Sequence, residues 1–167
     1  EMPLGRFLRD PFVMKSNYIS YATHASWQWE IRSAVERSIP YAKHFLNGLV
    51  HISGNEDAEI AFVACGTAVN QAREGQRELE KLGVKSKVVK LRTIRPFPHQ
   101  ELLEAMDGVK HVFVPEFNVV GWLENEIKAS LYGKCNAQIH GGMKVAGGMS
   151  LPAEAIIDEV MEKIKGE

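Results

Sequence analysis

Short apolar runs alternate with amphipathic stretches over the last two thirds of the chain. The clearest run is Ile60–Cys65, which is typical of a strand covered on both faces. Further strands are predicted at 88–91, 109–114 and 137–140. Apolar residues recur at helical spacing over 69–82, 99–106, 123–131 and 156–164. This alternation predicts an α/β fold, with a largely parallel sheet and helices on both of its faces.

A polar turn cluster at residues 53–57 is predicted to divide the chain near residue 55. Before it, the mixed sequence of residues 1–14 predicts an extended arm, and residues 27–46 predict a helix. Trp27 and Trp29 are two positions apart, which favours one core anchor and one interface anchor. The expected organisation is an N-terminal arm and helix over residues 1–55 and an α/β domain over residues 56–167.

Composition narrows the function classes. The 167 residues suffice for one domain with its own core, and the net charge of −1 gives no basis for nucleic acid or an anionic membrane surface as a partner. No apolar run approaches the roughly 20 residues that a membrane span needs, and the N-terminus has no signal-peptide pattern. With only 2 cysteines in the chain, a reducing cytoplasm is the expected compartment.

Cysteines are sparse. The 2 cysteines, Cys65 and Cys135, form no CxxC pair, whereas an iron–sulfur cluster normally takes four thiolates. They do not indicate a disulfide scaffold either, and the scattered histidines lack the spacing of a zinc site. No metal site or catalytic residue is therefore predicted within this chain.

The corner Gly66-Thr67 lies between a predicted strand and the start of a helix. Free N–H groups at such a corner can bind an anion. The alternative is structural, with Gly66 making the turn and Thr67 capping the helix. Capping is favoured because no glycine-rich phosphate motif is present.

Arg92 and Arg95 follow the second strand. Guanidinium groups can grip a phosphate or carboxylate, or pair with acidic groups on a partner subunit. After the third strand, Glu116 can act as a base or bind a hydroxyl, with Asn118 beside it. Hydrogen bonding to the neighbouring loop, or pairing with Arg92 or Arg95, is the favoured role for Glu116.

Two glycine pairs, 141–142 and 147–148, flank residues 143–146. Paired glycines permit tight turns or the close approach of another group. A contact with a CoA-type or phosphate ligand is one interpretation, and a structural hairpin is the favoured one.

Residues 58–66, 87–98 and 112–121 together resemble the transketolase-type C-terminal domain of thiamine-diphosphate enzymes. The tail, HGGMKVAGGMSLPAEAI over residues 140–156, is similar to the end of the alpha subunit of 2-oxoacid:ferredoxin oxidoreductases. The resemblance implies a three-layer sandwich with a sheet of about five strands. It also favours subunit contacts or an internal brace for Arg92 and Arg95.

The family reaction implied by this resemblance is oxidative decarboxylation of a 2-oxoacid to acyl-CoA, with reduction of ferredoxin. Thiamine diphosphate, Mg²⁺ and iron–sulfur clusters belong to the complete complex, and none is expected in this chain. Its Asp107-Gly108 follows Met106, so the Gly-Asp-Gly motif of diphosphate binding is missing. The chain is expected to supply architecture and subunit contacts, and to be inactive alone.

Two alternatives remain open from sequence. The domain can belong to another thiamine enzyme, such as a transketolase or the beta subunit of a 2-oxoacid dehydrogenase, although the glycine-rich tail argues against this. It can also be a free-standing nucleotide-binding module, which a binding experiment on the chain would reveal.

Overall fold

A computed structural model of the chain describes residues 24–146 and 148–165, with side chains from residue 32 onward. The predicted arm at residues 1–14, the side chains of Trp27 and Trp29, and Gly147 lie outside the described residues. The elements in chain order are α1 His24–Leu46, β1 Val50–Gly54, β2 Ile60–Cys65, α2 Ala68–Lys81, β3 Ser86–Leu91, α3 His99–Ala105, β4 His111–Phe113, α4 Trp122–Leu131, β5 Gln138–His140 and α5 Ala153–Lys165.

The five described strands form a single sheet in the order β1-β3-β2-β4-β5. β2, β3, β4 and β5 are parallel, and β1 adds an antiparallel edge to β3. The predicted class, an α/β fold with about five mostly parallel strands, is confirmed. Because β2, β3 and β4 run in one direction, the loops that follow them emerge at one edge of the sheet.

Two apolar layers, one on each face of the sheet, form the core. Alternate residues of β2 divide between them: Ala61 and Val63 face α3 and α4, whereas Phe62 and Ala64 face α2 and α5. This alternation explains why the continuous apolar run Ile60–Cys65 lies buried between helices. The result is the expected three-layer sandwich.

The sheet begins earlier in the chain than the predicted boundary near residue 55. β1 pairs with β3 from Val50 opposite Leu91 to Gly54 opposite Lys87. Residues of the segment assigned to the arm and helix thus complete the edge of the sheet. The assignment of the remaining N-terminal residues stays a prediction.

Candidate functional site

Glu116 is the best-organised polar group at the carboxyl edge of the sheet. Its side chain is buried, and its Oε1 accepts a hydrogen bond from the backbone N–H of Leu123 at 2.9 Å. Its Oε2 accepts from the N–H of Glu124 at 3.3 Å. The first N–H groups of a helix have no partner within the helix, so this carboxylate satisfies two of them in α4 and complements the helix dipole.

Glu116 thus makes a structural contact with the segment that follows it, and its described hydrogen bonds do not involve Arg92 or Arg95. The residue at the start of α4, Gly121, has no side chain with which to cap the helix. A carboxylate from the end of β4 replaces that cap. Both Oε atoms are engaged, which leaves Glu116 less suited to act as a base on a ligand.

Beside Glu116 lies a second buried carboxylate, Glu124, which was not among the residues predicted from sequence. It forms ion pairs with Lys128, one turn along α4, and with Lys144 from the glycine-rich segment. Burial alone would raise the pKa of the Glu124 carboxyl, but the hydrogen bonds and charges of the two lysines together lower it below its ordinary value. Glu124 is therefore a charged anchor.

Glycines make room for this ion pair. A Cβ atom at Gly121 would lie 2.6 Å from Cε of Lys144, and one at Gly141 would overlap the carboxylate of Glu124. Gly121 also has φ +72°, a conformation that side chains disfavour. The glycine that starts α4 and the first glycine pair therefore permit the close approach of a charged side chain.

Asn118 shapes the turn before α4. Its Oδ1 accepts a hydrogen bond from the N–H of Val120 at 2.9 Å, and its carbonyl accepts from the N–H of Gly121 at 3.2 Å. An asparagine side chain commonly organises its own turn in this way. The side chain that was predicted as a weak ligand candidate is engaged in local structure.

The corner at Gly66 and Thr67 is solvent-exposed. Gly66 has φ +58° and makes the turn, as expected. Thr67 occupies the N-cap position of α2, but its side chain makes no capping hydrogen bond. Its backbone is already helical, with φ −69° and ψ −27°, whereas a side-chain cap normally needs an extended backbone. The favoured interpretation of Thr67 as a cap is thus wrong.

The two arginines serve different contacts. The guanidinium group of Arg92 donates to the backbone carbonyls of Leu46 and Asn47, at the C-terminal end of α1. Arg95 donates to Oε1 of Glu126 at 2.8 Å, in a largely exposed ion pair. Arg92 therefore braces α1 against the sheet, and Arg95 joins the turn after β3 to α4.

The described residues of the glycine-rich segment extend the sheet beside the end of β4. The expected hairpin includes Gly147, which lies outside the described residues, and it stays a prediction. The N–H of Glu116 donates to the carbonyl of Met143 at 2.9 Å, and the N–H of Val145 donates to the carbonyl of Glu116 at 3.1 Å. Residues 143–145 therefore run parallel to the end of β4. The Met143 side chain is buried in the apolar layer between the sheet and helices α2 and α5, and this packing anchors the segment.

Cys65 ends β2 at the same edge. Burial raises the pKa of its thiol, and the nearby Glu116 carboxylate raises the pKa further. A raised pKa keeps the group as a thiol, which is a poorer nucleophile than a thiolate. The burial and the negative charge that raise the pKa do not activate the thiol, so this environment disfavours covalent catalysis.

The described residues do not fit a metal or an iron–sulfur cluster. Within 24–146 and 148–165, no three His, Cys, Asp or Glu side chains come together in a group that could hold a metal ion. β4 and β5 do bring His111 and His140 together, with Nδ1 and Nε2 3.2 Å apart, a proximity that sequence spacing could not indicate.

No helix in the described part of the chain is long and apolar enough to cross a membrane.

The structure defines the class as an α/β domain whose described strands form a mostly parallel sheet and whose carboxyl edge is organised by helix capping and ion pairs. In fold it is similar to the 2-oxoglutarate:ferredoxin oxidoreductase from Magnetococcus marinus, with a TM-score of 0.67 and 21% identity over 84% of this chain and 23% of that chain. It is also similar to a split-gene transketolase, with a TM-score of 0.58 and 20% identity over 70% of this chain and 41% of that one.

Sequence similarity identifies the family. The profile of the pyruvate:ferredoxin oxidoreductase core domain II matches residues 58–156, and the chain belongs to that family. It is 30% identical to pyruvate synthase subunit PorA of Methanothermobacter thermautotrophicus, over 97% of this chain and 42% of that subunit. It is 27% identical to PorA of Methanosarcina barkeri, over 89% of this chain and 41% of that subunit. The chain thus spans about two fifths of these relatives' length.

Proposed function

We propose that this chain is the C-terminal architectural and interface domain of the alpha subunit of a thiamine-diphosphate-dependent 2-oxoacid:ferredoxin oxidoreductase. The complex would convert a 2-oxoacid and CoA to acyl-CoA and CO₂ while reducing ferredoxin. The observation that carries the proposal is the match to core domain II over residues 58–156. The similarity to a pyruvate synthase subunit over nearly the whole chain supports it.

In this proposal the cofactors are held by other parts of the complex. Thiamine diphosphate with Mg²⁺ would supply the carbanion chemistry, and iron–sulfur clusters would carry the electrons. The chain has 2 cysteines, fewer than a four-thiolate cluster requires, and its described carboxylates form no metal-binding group. Its residues therefore fit a supporting role better than a cofactor site.

The contacts at the sheet edge agree with that role. Glu116, Glu124 and Arg92 are the polar groups best placed to act on a ligand, and each is engaged within the domain. Residues 1–55 would connect the sheet domain to a cofactor-binding domain. The partners would be the other subunits, with ferredoxin and CoA acting at the level of the complex, in the cytoplasm and without nucleic acid or membrane.

Reconstitution tests the proposal. The rest of the alpha subunit and the remaining subunits of the same complex are combined with or without this chain. The mixture is supplied with pyruvate or 2-oxoglutarate, CoA, thiamine diphosphate, Mg²⁺ and a viologen acceptor. We expect viologen reduction only when the chain is present, and none from the chain alone. Turnover by the chain alone above a contaminant control, or full activity without it, would overturn the proposed role.

A further inference from the structure

Three large apolar side chains project from the end of the loop that precedes α4 and from the first residue of α4. Val119 is 64% exposed, and Val120 and Trp122 are each 67% exposed. They lie within four consecutive positions of one turn, so they form a single local patch, here called the 119–122 patch. Contiguous exposed apolar groups of this size mark interaction sites more often than a single exposed residue does.

The backbone beneath the patch is fixed. Asn118 holds the turn through its side chain and its carbonyl, and Glu116 holds the first N–H groups of α4. Gly121 lies directly under the Lys144 side chain. A loop that is already ordered loses little conformational freedom when a partner binds. The fold thus stabilises a loop whose largest side chains make little contact with its own core.

The charges near the patch indicate what the partner presents. Lys128 and Lys144 share one carboxylate, Glu124, and their side chains are 49% and 28% exposed. The Glu116 carboxylate is balanced by the N-terminus of α4. Glu126, one turn beyond Trp122 on α4, is held by Arg95, so the charges described around this part of α4 are paired within the domain, which favours an apolar partner surface over a charged one.

We propose that the 119–122 patch docks against the remainder of the alpha subunit, in an apolar pocket. This inference rests on the proposed function. The curated relatives are more than twice as long as the segment they share with this chain, since it covers 42% and 41% of the two PorA subunits. A domain in such a subunit needs a surface for the rest of the polypeptide, and tryptophan, the residue type at position 122, is enriched among the residues that contribute most to binding at interfaces.

The test is a binding titration between this chain and the remaining alpha-subunit polypeptide, produced separately. The variant Val119→Ser/Val120→Ser/Trp122→Ser removes the apolar groups. Tyr132→Ser is the matched control, because Tyr132 ends the same helix and is 86% exposed. We expect at least tenfold weaker binding for the triple variant and less than a twofold change for the control. Both variants should melt within about 2 °C of the wild type, since the replaced side chains lie mostly in solvent.

Because the charges around this part of α4 are paired within the domain, binding of the wild-type chain should change little between low and high salt. Hydroxyl-radical footprinting of the assembled complex gives an independent measurement, in which Trp122 should be protected and Tyr132 should not. Unchanged binding by the triple variant, or equal labelling of Trp122 in the free and assembled chain, overturns the inference. Self-association of the chain that depends on Trp122 would show that the occupant is a second copy instead.

The outcomes also separate this inference from the proposed function. If the wild-type chain neither binds the remaining alpha subunit nor restores viologen reduction, the proposed function fails. If the wild type does both and the triple variant does so equally well, only the assignment of the docking surface fails.

Discussion

Replacing Glu116 with alanine is the most direct test of how the sheet edge is built. The substitution removes two charge-assisted hydrogen bonds, to the N–H groups of Leu123 and Glu124, whose residues are 8% and 6% exposed. Loss of a helix cap costs about 0.5–2 kcal/mol, and hydrogen bonds to charged groups contribute about 1.5–3 kcal/mol each. Because the 3.3 Å bond to Glu124 is the weaker one, we expect Glu116→Ala to lower the free energy of unfolding by about 3 kcal/mol.

Urea denaturation followed by circular dichroism measures this change. For a chain of 167 residues, about 3 kcal/mol corresponds to a decrease in melting temperature of roughly 6–12 °C. Glu116→Gln keeps the shape and one acceptor but loses the charge at the helix N-terminus, so it should cost roughly 1–2 kcal/mol. Glu126→Ala is the control on α4, because its ion pair with Arg95 is largely exposed and should contribute less than about 1 kcal/mol.

The order of the three changes in the free energy of unfolding decides whether the Glu116 carboxylate holds α4. If Glu116→Ala costs no more than Glu126→Ala, then the buried carboxylate does not hold α4, and the structural interpretation of the site is refuted. If Glu116→Gln costs as much as Glu116→Ala, the charge rather than the hydrogen-bond acceptor carries the effect.

Three further predictions concern other features. Lys87 is 4% exposed, and burial lowers the pKa of its ammonium group. Lys87→Met should therefore raise the melting temperature near neutral pH, where the fold destabilises the charged lysine. This advantage should shrink as the pH rises through the lowered pKa toward the ordinary lysine pKa, because the lysine of the folded wild type is then neutral. Gly75→Ala should destabilise the fold by about 1–3 kcal/mol in urea denaturation, since its Cβ would lie 2.6 Å from Cγ2 of Ile156, and adding Ile156→Leu should recover part of the loss. Calorimetry with ATP, NAD and CoA should show no binding tighter than about millimolar, roughly −4 kcal/mol, and micromolar binding lost in Arg92→Ala would favour the nucleotide-binding alternative.

The parallel part of the sheet was predictable because its strands are buried on both faces. Such strands read as continuous apolar runs, and Ile60–Cys65 is the clearest example. The turn at Gly83 was also predictable, since a left-handed residue is wanted after a helix, and its φ is +80°. These features depend on a few neighbouring residues, and the sequence displays them directly.

The edge strand β1 was not predicted because its sequence, VHISG, contains polar residues and ends in a glycine. That glycine was assigned to the predicted turn cluster at residues 53–57. In the structure, a glycine is required at position 54 because the neighbouring strand lies close to its backbone. A Cβ atom there would lie 2.6 Å from the carbonyl oxygen of Ser86 on the neighbouring strand. A glycine in a polar stretch can indicate either a turn or a strand that lies close to its neighbour. Only the identity of the pairing strand distinguishes these two cases.

The ion pairs of Glu124 with Lys128 and Lys144 were also only partly predictable from the sequence. The spacing of Glu124 and Lys128 is visible as a helical i, i+4 pair, but nothing local places Lys144 against them. That contact depends on residues 143–145 running beside Glu116, which is a consequence of the whole sheet. The six weak site candidates, Gly66, Thr67, Arg92, Arg95, Glu116 and Asn118, could therefore be located at strand ends, whereas their partners could not.

The contacts at the carboxyl edge bear on what this edge can do. Open α/β sheets commonly bind ligands there, and the residue types predicted from sequence suit that use. Here both carboxylate oxygens of Glu116 accept from α4, Glu124 is held by two lysines, and Asn118 closes its own turn. A group already engaged must give up those bonds before it can bind a small molecule, at a cost of about 1–3 kcal/mol for each buried donor or acceptor left unpaired. The exposed apolar side chains beside them have no such bonds to give up, and their burial against a partner is favourable. The energetics of this edge therefore favour docking of a protein surface over binding of a substrate, which is the division of labour that the proposed function requires.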